Sequence, residues 1–277
     1  MGLNSNIKML NSTTCHCCSL DVFESIIKDK SIRLCDMRNS NDPKEVIAAG
    51  EYILSLIEYE YKNTKNEKYL KLEEEFRKSL PEFNPYVASF TNIVNKTIFK
   101  RYAEDGQGIG INFHSSNFGI GIYLVNDHKD IYYIPVVYDP HDSSGYALEV
   151  IKYYLCGDLV VDEAVLELLK ISCMYKTREW KEEKEIRIFY IPSENKLLGE
   201  KHYFEKHNKK RSYYNLAFEQ FDSQNIIENI ILGPNFNENN VVYVKELLKE
   251  NALSYVNVYS YDEAYKECVN KKNILGY

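Results

Sequence analysis

The chain has 277 residues, of which 44% are hydrophobic, which is typical of a folded protein with one large core or two small ones. Its net charge of −7 argues against broad, sequence-independent binding to nucleic acid, because such binding needs a basic surface. The sequence contains no apolar run long enough for a membrane span and no signal-peptide core, and its seven cysteines are scattered. These features predict a cytoplasmic protein with reduced thiols and no membrane partner.

The first hundred residues predict short strands separated by helices. Ser19 is a suitable N-cap, and apolar residues recur on one side of the helix that would follow it, at Val22, Phe23, Ile26 and Ile27. Asp42 and Glu45 flank Pro43 in a capping-box pattern that opens a long helix. The predicted segments are helix 19–28, strand 31–36, a helix from 42 to about 61, helix 66–80 and strand 86–91.

The middle of the chain contains a run of glycines, Gly106, Gly108 and Gly110. They precede an alternating strand rather than a helix, so they lack the context of a phosphate-binding loop. We therefore predict a hairpin turn with a closely packed glycine. The predicted segments here are helix 93–104, strands 109–113, 121–126 and 131–138, and helices 142–155 and 160–173.

The C-terminal part predicts a polar loop over residues 193–211 and a strand near 213–221. Strand 228–232, helix 238–250, strand 254–259 and helix 260–270 then alternate. Together the segments predict an α+β fold with a mixed, mainly antiparallel central sheet, flanking helices and a small C-terminal α/β extension. We predict a single domain over residues 1–277, with a core of about 12–222 and an extension of about 223–277.

The most informative stretch is a Glu-x-Glu-x-Arg run, Glu183 to Arg187, which leads into an apolar strand. In an extended strand Glu185 and Arg187 lie on one face, opposite Ile186 and Ile188. If the strand begins two residues earlier, Glu183 joins that face, with neighbours about 6–7 Å apart. Such a cluster could hold a ribose, a phosphate or a metal ion. A solvated ion-pair ladder at a sheet edge explains the spacing equally well.

Two further features lie near the candidate site. Trp180 is the only tryptophan, and we predict that its ring is largely buried against the start of the Glu-x-Glu strand. Cys15, His16, Cys17 and Cys18 are contiguous. Because contiguous ligands do not easily surround one tetrahedral zinc ion, and no matching pair follows downstream, this run does not predict a structural zinc site.

Several short motifs occur in a characteristic order from Cys15 almost to the end of the chain. They are the strand around His16, Asn41-Asp42-Pro43-x-Glu45, Ser89-Phe90, Phe99-x-x-Tyr102, Trp180-x-x-Glu183-x-Glu185-x-Arg187 and Ile231-Leu-Gly-Pro234. This order resembles a bacterial family of domains of unknown function, family 2971. The resemblance implies a protein of defence or mobile-element regions. The chain departs from the family pattern in the cysteines around His16 and in Phe99, where tryptophan is usual.

The order of a His strand, a Ser/Tyr segment and a Glu-x-Glu strand also resembles mono-ADP-ribosyltransferases. That resemblance implies NAD as the substrate and glycosyl transfer as the activity. In it His16 would bind the adenosine-side ribose, and Ser89 and Tyr102 would position nicotinamide. Glu185 would be the catalytic acid. Glu183 would orient the acceptor. Arg187 would contact a phosphate or fix Glu185 in position. We expect these six residues to converge on one concave site.

Two other functions fit the same residues. One is a metal-dependent nuclease, in which Asp42 or Glu45 would join Glu183 and Glu185 around Mg²⁺. Lys184 or Lys176 would assist there. The other is a non-catalytic ligand sensor or interaction module, in which the charged cluster only binds a small nucleotide or packs.

Overall fold

The computed structural model describes residues 14–39, 45–92, 95–114, 130–193, 198–206, 208–218, 226–264 and 266. Their arrangement confirms the predicted α+β class, with a mixed, mostly antiparallel sheet and flanking helices. The strands are β1 (Thr14–Cys18), β2 (Ser31–Asp36), β3 (Tyr86–Thr91), β4 (Ile109–Phe113), β5 (Ile131–Pro135), β6 (Glu185–Tyr190), β7 (His202–Lys206), β8 (Lys209–Ala217), β9 (Ile227–Leu232) and β10 (Asn257–Tyr259). The helices are α1 (Leu20–Asp29), α2 (Glu45–Thr64), α3 (Lys68–Ser79), α4 (Lys96–Tyr102), α5 (Pro140–Cys156), α6 (Val161–Ser172) and α7 (Val241–Glu250).

Strand β3 is the branch point of the sheet. Strand β6 pairs antiparallel with β3 along its whole length, so β1 and β2 share the other edge of β3. Strand β1 joins that edge at one end through the pair Cys15–Thr91, and β2 joins it at the other end, where Cys35 pairs with Val87. Two arms therefore diverge from β3. One continues from β1 through β4 and β9 to β10, and the other from β2 through β8 to β7.

The two faces of the sheet are covered by different helices. Helices α1 and α7 pack on one face, and helices α2, α3, α5 and α6 pack on the other. Strand β6 shows the predicted alternation, because Ile186 and Ile188 lie in the α1 core while Phe189 lies in the core of the second group. Glu185 and Arg187 share the Phe189 face. The pleat of one strand therefore turns the charged pair away from the α1 core.

Local signals place several helices as predicted. The Ser19 hydroxyl accepts a hydrogen bond from the Val22 amide and caps α1. Phe23, Ile26 and Ile27 are buried, but Val22 is 41% exposed, so its place in the apolar stripe was wrong. One face of α3 and its C-cap forms a buried stripe of four residues: Tyr69, Leu72, Phe76 and Leu80.

Other segments differ from the prediction. The expected polar loop over residues 193–211 contains β7 and the start of β8, which pair with each other. The first residues of β8 are charged, but Ser212, Tyr214 and Leu216 are buried on one face of the strand, and pairing with β2 places β8 in the sheet. The expected helix 93–104 is shorter, spanning Lys96–Tyr102, and begins at an Asn95 cap. The predicted Asp42 cap and strand 121–126 lie outside the described residues.

The C-terminal segment continues the main sheet. Strand β9 pairs antiparallel with β4, and β10 pairs parallel with β9. The turn after β9 packs on the glycine run, where the Gly233 amide donates to the Gly108 carbonyl over 2.9 Å. Among the residues that the structure describes, no helix combines the length and apolar character of a membrane span.

Candidate functional site

A pocket opens where the two arms of the sheet leave β3. Its walls come from β1, β3, α4 and the segment between Lys176 and Arg187, and it encloses about 800 Å³ of empty space with its open mouth included. All six residues proposed from the sequence line it: His16, Ser89, Tyr102, Glu183, Glu185 and Arg187. The roles suggested for them remain predictions.

The register between β3 and β6 builds the floor of the pocket. Ser89 is paired with Arg187, and Thr91 is paired with Glu185. Residues directly opposite each other in a sheet point to the same face, so these four side chains face the same direction. The Ser89 side chain makes a hydrogen bond to the Glu185 carboxylate. Ser89 therefore helps to hold Glu185 in place, and its suggested role in positioning nicotinamide stays a prediction.

Glu185 is held by two cations. Arg187 donates from Nε to Oε1 over 2.7 Å, and Lys176 Nζ lies 3.0 Å from Oε2. Burial raises the pKa of Glu185, but the charges of Arg187 and Lys176 outweigh it, and with hydrogen bonds from Arg187 and Ser89 they hold the pKa at about 2. The carboxylate is therefore ionised and fixed in orientation at neutral pH.

Glu183 reaches the same cluster from outside the strand. It ends a 3₁₀ helix, Arg178–Glu183, and Lys184 follows in the left-handed conformation with φ 42°, so the strand begins only at Glu185. Lys176 Nζ lies 2.7 Å from Glu183 Oε2, and the Tyr102 hydroxyl donates to Oε1 over 2.6 Å. Burial, followed by this hydrogen bond to Glu183, raises the pKa of Tyr102. The predicted shared strand face was therefore wrong for Glu183, although its carboxylate still joins the cluster.

Trp180, whose ring we predicted to be largely buried, has intermediate exposure and lines the pocket. It accepts two cation–π contacts, with Lys176 Nζ 4.7 Å and the Arg101 guanidinium 5.0 Å from the ring centroid. Trp180 therefore forms part of the pocket wall, and its ring face contacts two cations.

His16 enters the site differently from the other residues. Its pairing partner on β4, Ile111, lies in the α1 core, so His16 leaves β1 on the face opposite to Glu185. It reaches the pocket wall at the gap between β1 and β2, and its Nδ1 lies 2.9 Å from the Ser89 carbonyl oxygen. Burial lowers the pKa of His16, while the hydrogen bond to the Ser89 carbonyl acts in the opposite direction. A neutral ring that donates from Nδ1 to a carbonyl keeps Nε2 as an acceptor.

Sequence reasoning missed several contributors to the site, among them two cysteines and a tyrosine. Cys15 and Cys17 line the pocket, with their sulfur atoms 3.8 Å apart, and the Tyr138 hydroxyl accepts a hydrogen bond from the Glu185 amide over 2.7 Å. The alternation of β1 carried a signal for the cysteines, because residues two apart share a face. Tyr138 lies 47 positions from Glu185, and no local pattern connects them.

The charged cluster does not have the form of a metal site. Lys176 places an ammonium between the two carboxylates, where a bridging cation would have to lie. Among the residues that the structure describes, no group of three or more His, Cys, Asp or Glu side chains is arranged to hold a metal ion. Asp42 lies outside those residues, and the side chain of Glu45 is not described. The nuclease alternative therefore gains no support from the geometry.

No protein-family model, curated protein or solved structure matches this chain. Conclusions about its function therefore rest on the pocket itself.

Proposed function

We propose that the protein is an NAD-using, ADP-ribosyltransferase-like enzyme whose reaction takes place in the pocket at the branch of the sheet. The observation that carries this proposal is the convergence of Ser89, Tyr102, Glu183 and Glu185 on one pocket from separate segments of the chain, with His16 reaching the pocket wall from the opposite face of the sheet. Their order along the chain is also the order of the resemblance. Both the chain order and the spatial arrangement support the same class of chemistry.

The electrostatics of Glu185 suit this reaction. When the glycosidic bond of NAD breaks, nicotinamide leaves as a neutral base with the bonding electron pair, and positive charge develops on the ribose. An acceptor nucleophile then bonds to the same ribose carbon and loses its proton to water. Glu185 is ionised at neutral pH and held by Arg187, Lys176 and Ser89, so it would stabilise the developing charge without having to reorient.

The pocket walls supply complementary groups. The Tyr102 and Trp180 side chains are aromatic, so they offer surfaces against which a nicotinamide ring could pack. His16 keeps Nε2 as an acceptor, which is the group that a ribose hydroxyl would donate to. In this proposal the side of the pocket with Tyr102 and Trp180 binds the nicotinamide, and the side with His16 binds a ribose.

A non-catalytic ligand sensor is the second candidate. The observation that favours it is the set of partners around Glu185, since two cations and a serine already neutralise the carboxylate. A carboxylate with these partners also serves as a purely structural member of a buried ion-pair cluster. Binding without turnover would be the signature of this candidate.

The deciding experiment incubates the purified protein with NAD labelled in the nicotinamide ring, in the presence of a chelator. Release of nicotinamide, lost in Glu185→Gln and retained in the exposed neighbour variant Glu182→Gln, would support the enzyme. Circular dichroism at the assay temperature would verify that both variants are folded. Quenching of Trp180 fluorescence by NAD without any release would favour the sensor. Neither binding nor release would contradict both candidates.

A further inference from the structure

The pocket cluster carries a surplus of positive charge. Its two buried carboxylates, Glu183 and Glu185, are matched by two buried cations, Lys176 and Arg187, and all four side chains are at most 7% exposed. Arg101 is a third cation of the same cluster, and its side chain is 39% exposed. The tyrosine in the cluster, Tyr102, is neutral because its pKa is raised. The cluster therefore has one excess positive charge, and Arg101 carries it at the solvent-exposed edge.

Arg101 is fixed in position, and most of its hydrogen-bond donors remain available. Its Nη1 donates to Glu183 Oε1 over 3.2 Å, and its guanidinium lies 5.0 Å from the Trp180 ring centroid. A guanidinium has five N–H donors, and this hydrogen bond to Glu183 uses one of them. Contacts on two wall residues fix the plane of the group. A fixed, partly exposed guanidinium is suited to bidentate recognition of phosphate.

The other arginines near the site are less suited to that task. Arg187 is 2% exposed and donates to Glu185 and to the Cys173 carbonyl, so it holds the catalytic carboxylate in place and is not available to a phosphate. Arg178 is 71% exposed, but it is already paired with the carboxylate of Asp139. The phosphate contact suggested for Arg187 from the sequence is therefore better assigned to Arg101.

We propose that Arg101 forms an anion subsite beside the pocket, which binds the pyrophosphate of a ligand that extends past Trp180. This inference rests on the proposed function and names the part of the ligand that the charge surplus would recognise. Such a ligand would be a dinucleotide. Its base and ribose would occupy the pocket, and its phosphates would lie at the mouth.

Inorganic pyrophosphate tests the subsite directly. Calorimetry would measure its affinity, and Trp180 fluorescence would locate the binding, because Trp180 is the only tryptophan and contacts Arg101. We expect pyrophosphate to bind the wild-type protein and to alter the emission. Arg101→Gln should weaken binding about tenfold or more, equivalent to about 1.4 kcal/mol or more, whereas Arg178→Gln should leave it unchanged. Affinity should fall with added salt.

Three results would overturn the subsite. They are no binding of pyrophosphate, equal affinity in wild type and Arg101→Gln, and equal weakening by Arg178→Gln. NAD separates this inference from the proposed function. If NAD is neither bound nor cleaved while pyrophosphate binding depends on Arg101, the subsite is supported and the NAD proposal falls. If NAD is cleaved with the same KM in Arg101→Gln, the NAD proposal is supported and the subsite falls.

Discussion

The Nζ atom of Lys176 lies between two carboxylates, 2.7 Å from Glu183 Oε2 and 3.0 Å from Glu185 Oε2. The single ammonium of Lys176 therefore neutralises two carboxylates, that of Glu183 at the end of the 3₁₀ helix and that of Glu185 at the start of β6. Without it, two nearly buried carboxylates would face each other, which is strongly unfavourable in a poorly solvated site.

Lys176→Met should therefore destabilise the protein strongly. It keeps the length and the apolar stem of the side chain but removes the charge, and breaking a buried ion pair in this way costs about 3–5 kcal/mol. The free energy of unfolding from urea titration measures the loss. Lys62→Met is the matched control, because Lys62 is 71% exposed and pairs with Glu58 at 3.8 Å, so about 0.5 kcal/mol or less is expected. Equal losses in the two variants would refute the bridging role.

The acid stability of the protein should depend on Glu185. The pKa of this carboxyl falls from the ordinary 4.5 to about 2 on folding, so its ionised form stabilises the native state above about pH 4.5. That contribution is lost as the pH falls from about 4.5 towards 2, and it amounts to about 3 kcal/mol.

Glu185→Gln should remove this dependence and lower the stability at pH 7, since Arg187 and Lys176 would lose an ionised partner. Unfolding free energies of both proteins between pH 2 and 7 provide the measurement. Two parallel stability curves, offset by a constant, would show that Glu185 titrates normally in the folded protein.

Replacement of Trp180 should affect stability only modestly. Its ring is partly exposed, so Trp180→Ala should cost about 1–2 kcal/mol through the loss of two cation–π contacts and some buried area. Circular dichroism during urea unfolding is a suitable probe, because the variant has no tryptophan. A loss as large as that of Lys176→Met would indicate that the ring is part of the core.

The glycine run should not tolerate a side chain at its middle position. A Cβ at Gly108 would lie 2.2 Å from the Cys18 carbonyl oxygen and 3.0 Å from backbone atoms of Ala103. Backbone must shift to accept it, so Gly108→Ala should cost about 1–3 kcal/mol or more. Gly145 in α5 has no atom within 4 Å of its Cβ position, and Gly145→Ala should be stabilising by about 0.5–1 kcal/mol. Melting temperatures that shift in the same direction would contradict this account.

Period-two alternation was enough to orient β6. Ile186 and Ile188 face one core and Glu185 faces away from it, as the pattern predicts, because the pleat of a strand is a local property. The same locality explains the Ser19 cap and the buried stripe of α3. Strand β7 and the first half of β8 were not predicted, because their sequences are polar and they enter the sheet by pairing with each other.

The sequence by itself determined the class of fold, the faces of its amphipathic elements and the motifs that contain the pocket residues, since these depend on neighbours within a few positions. Only the tertiary structure decided how those residues meet. The branch at β3 turns His16 to the opposite face, and the left-handed Lys184 places Glu183 outside the strand. Long-range packing brought Arg101 to Trp180. Lys176 is only seven and nine positions from Glu183 and Glu185, but the 3₁₀ helix between them, and not a strand period, places it between the two glutamates. No local periodicity encodes these contacts.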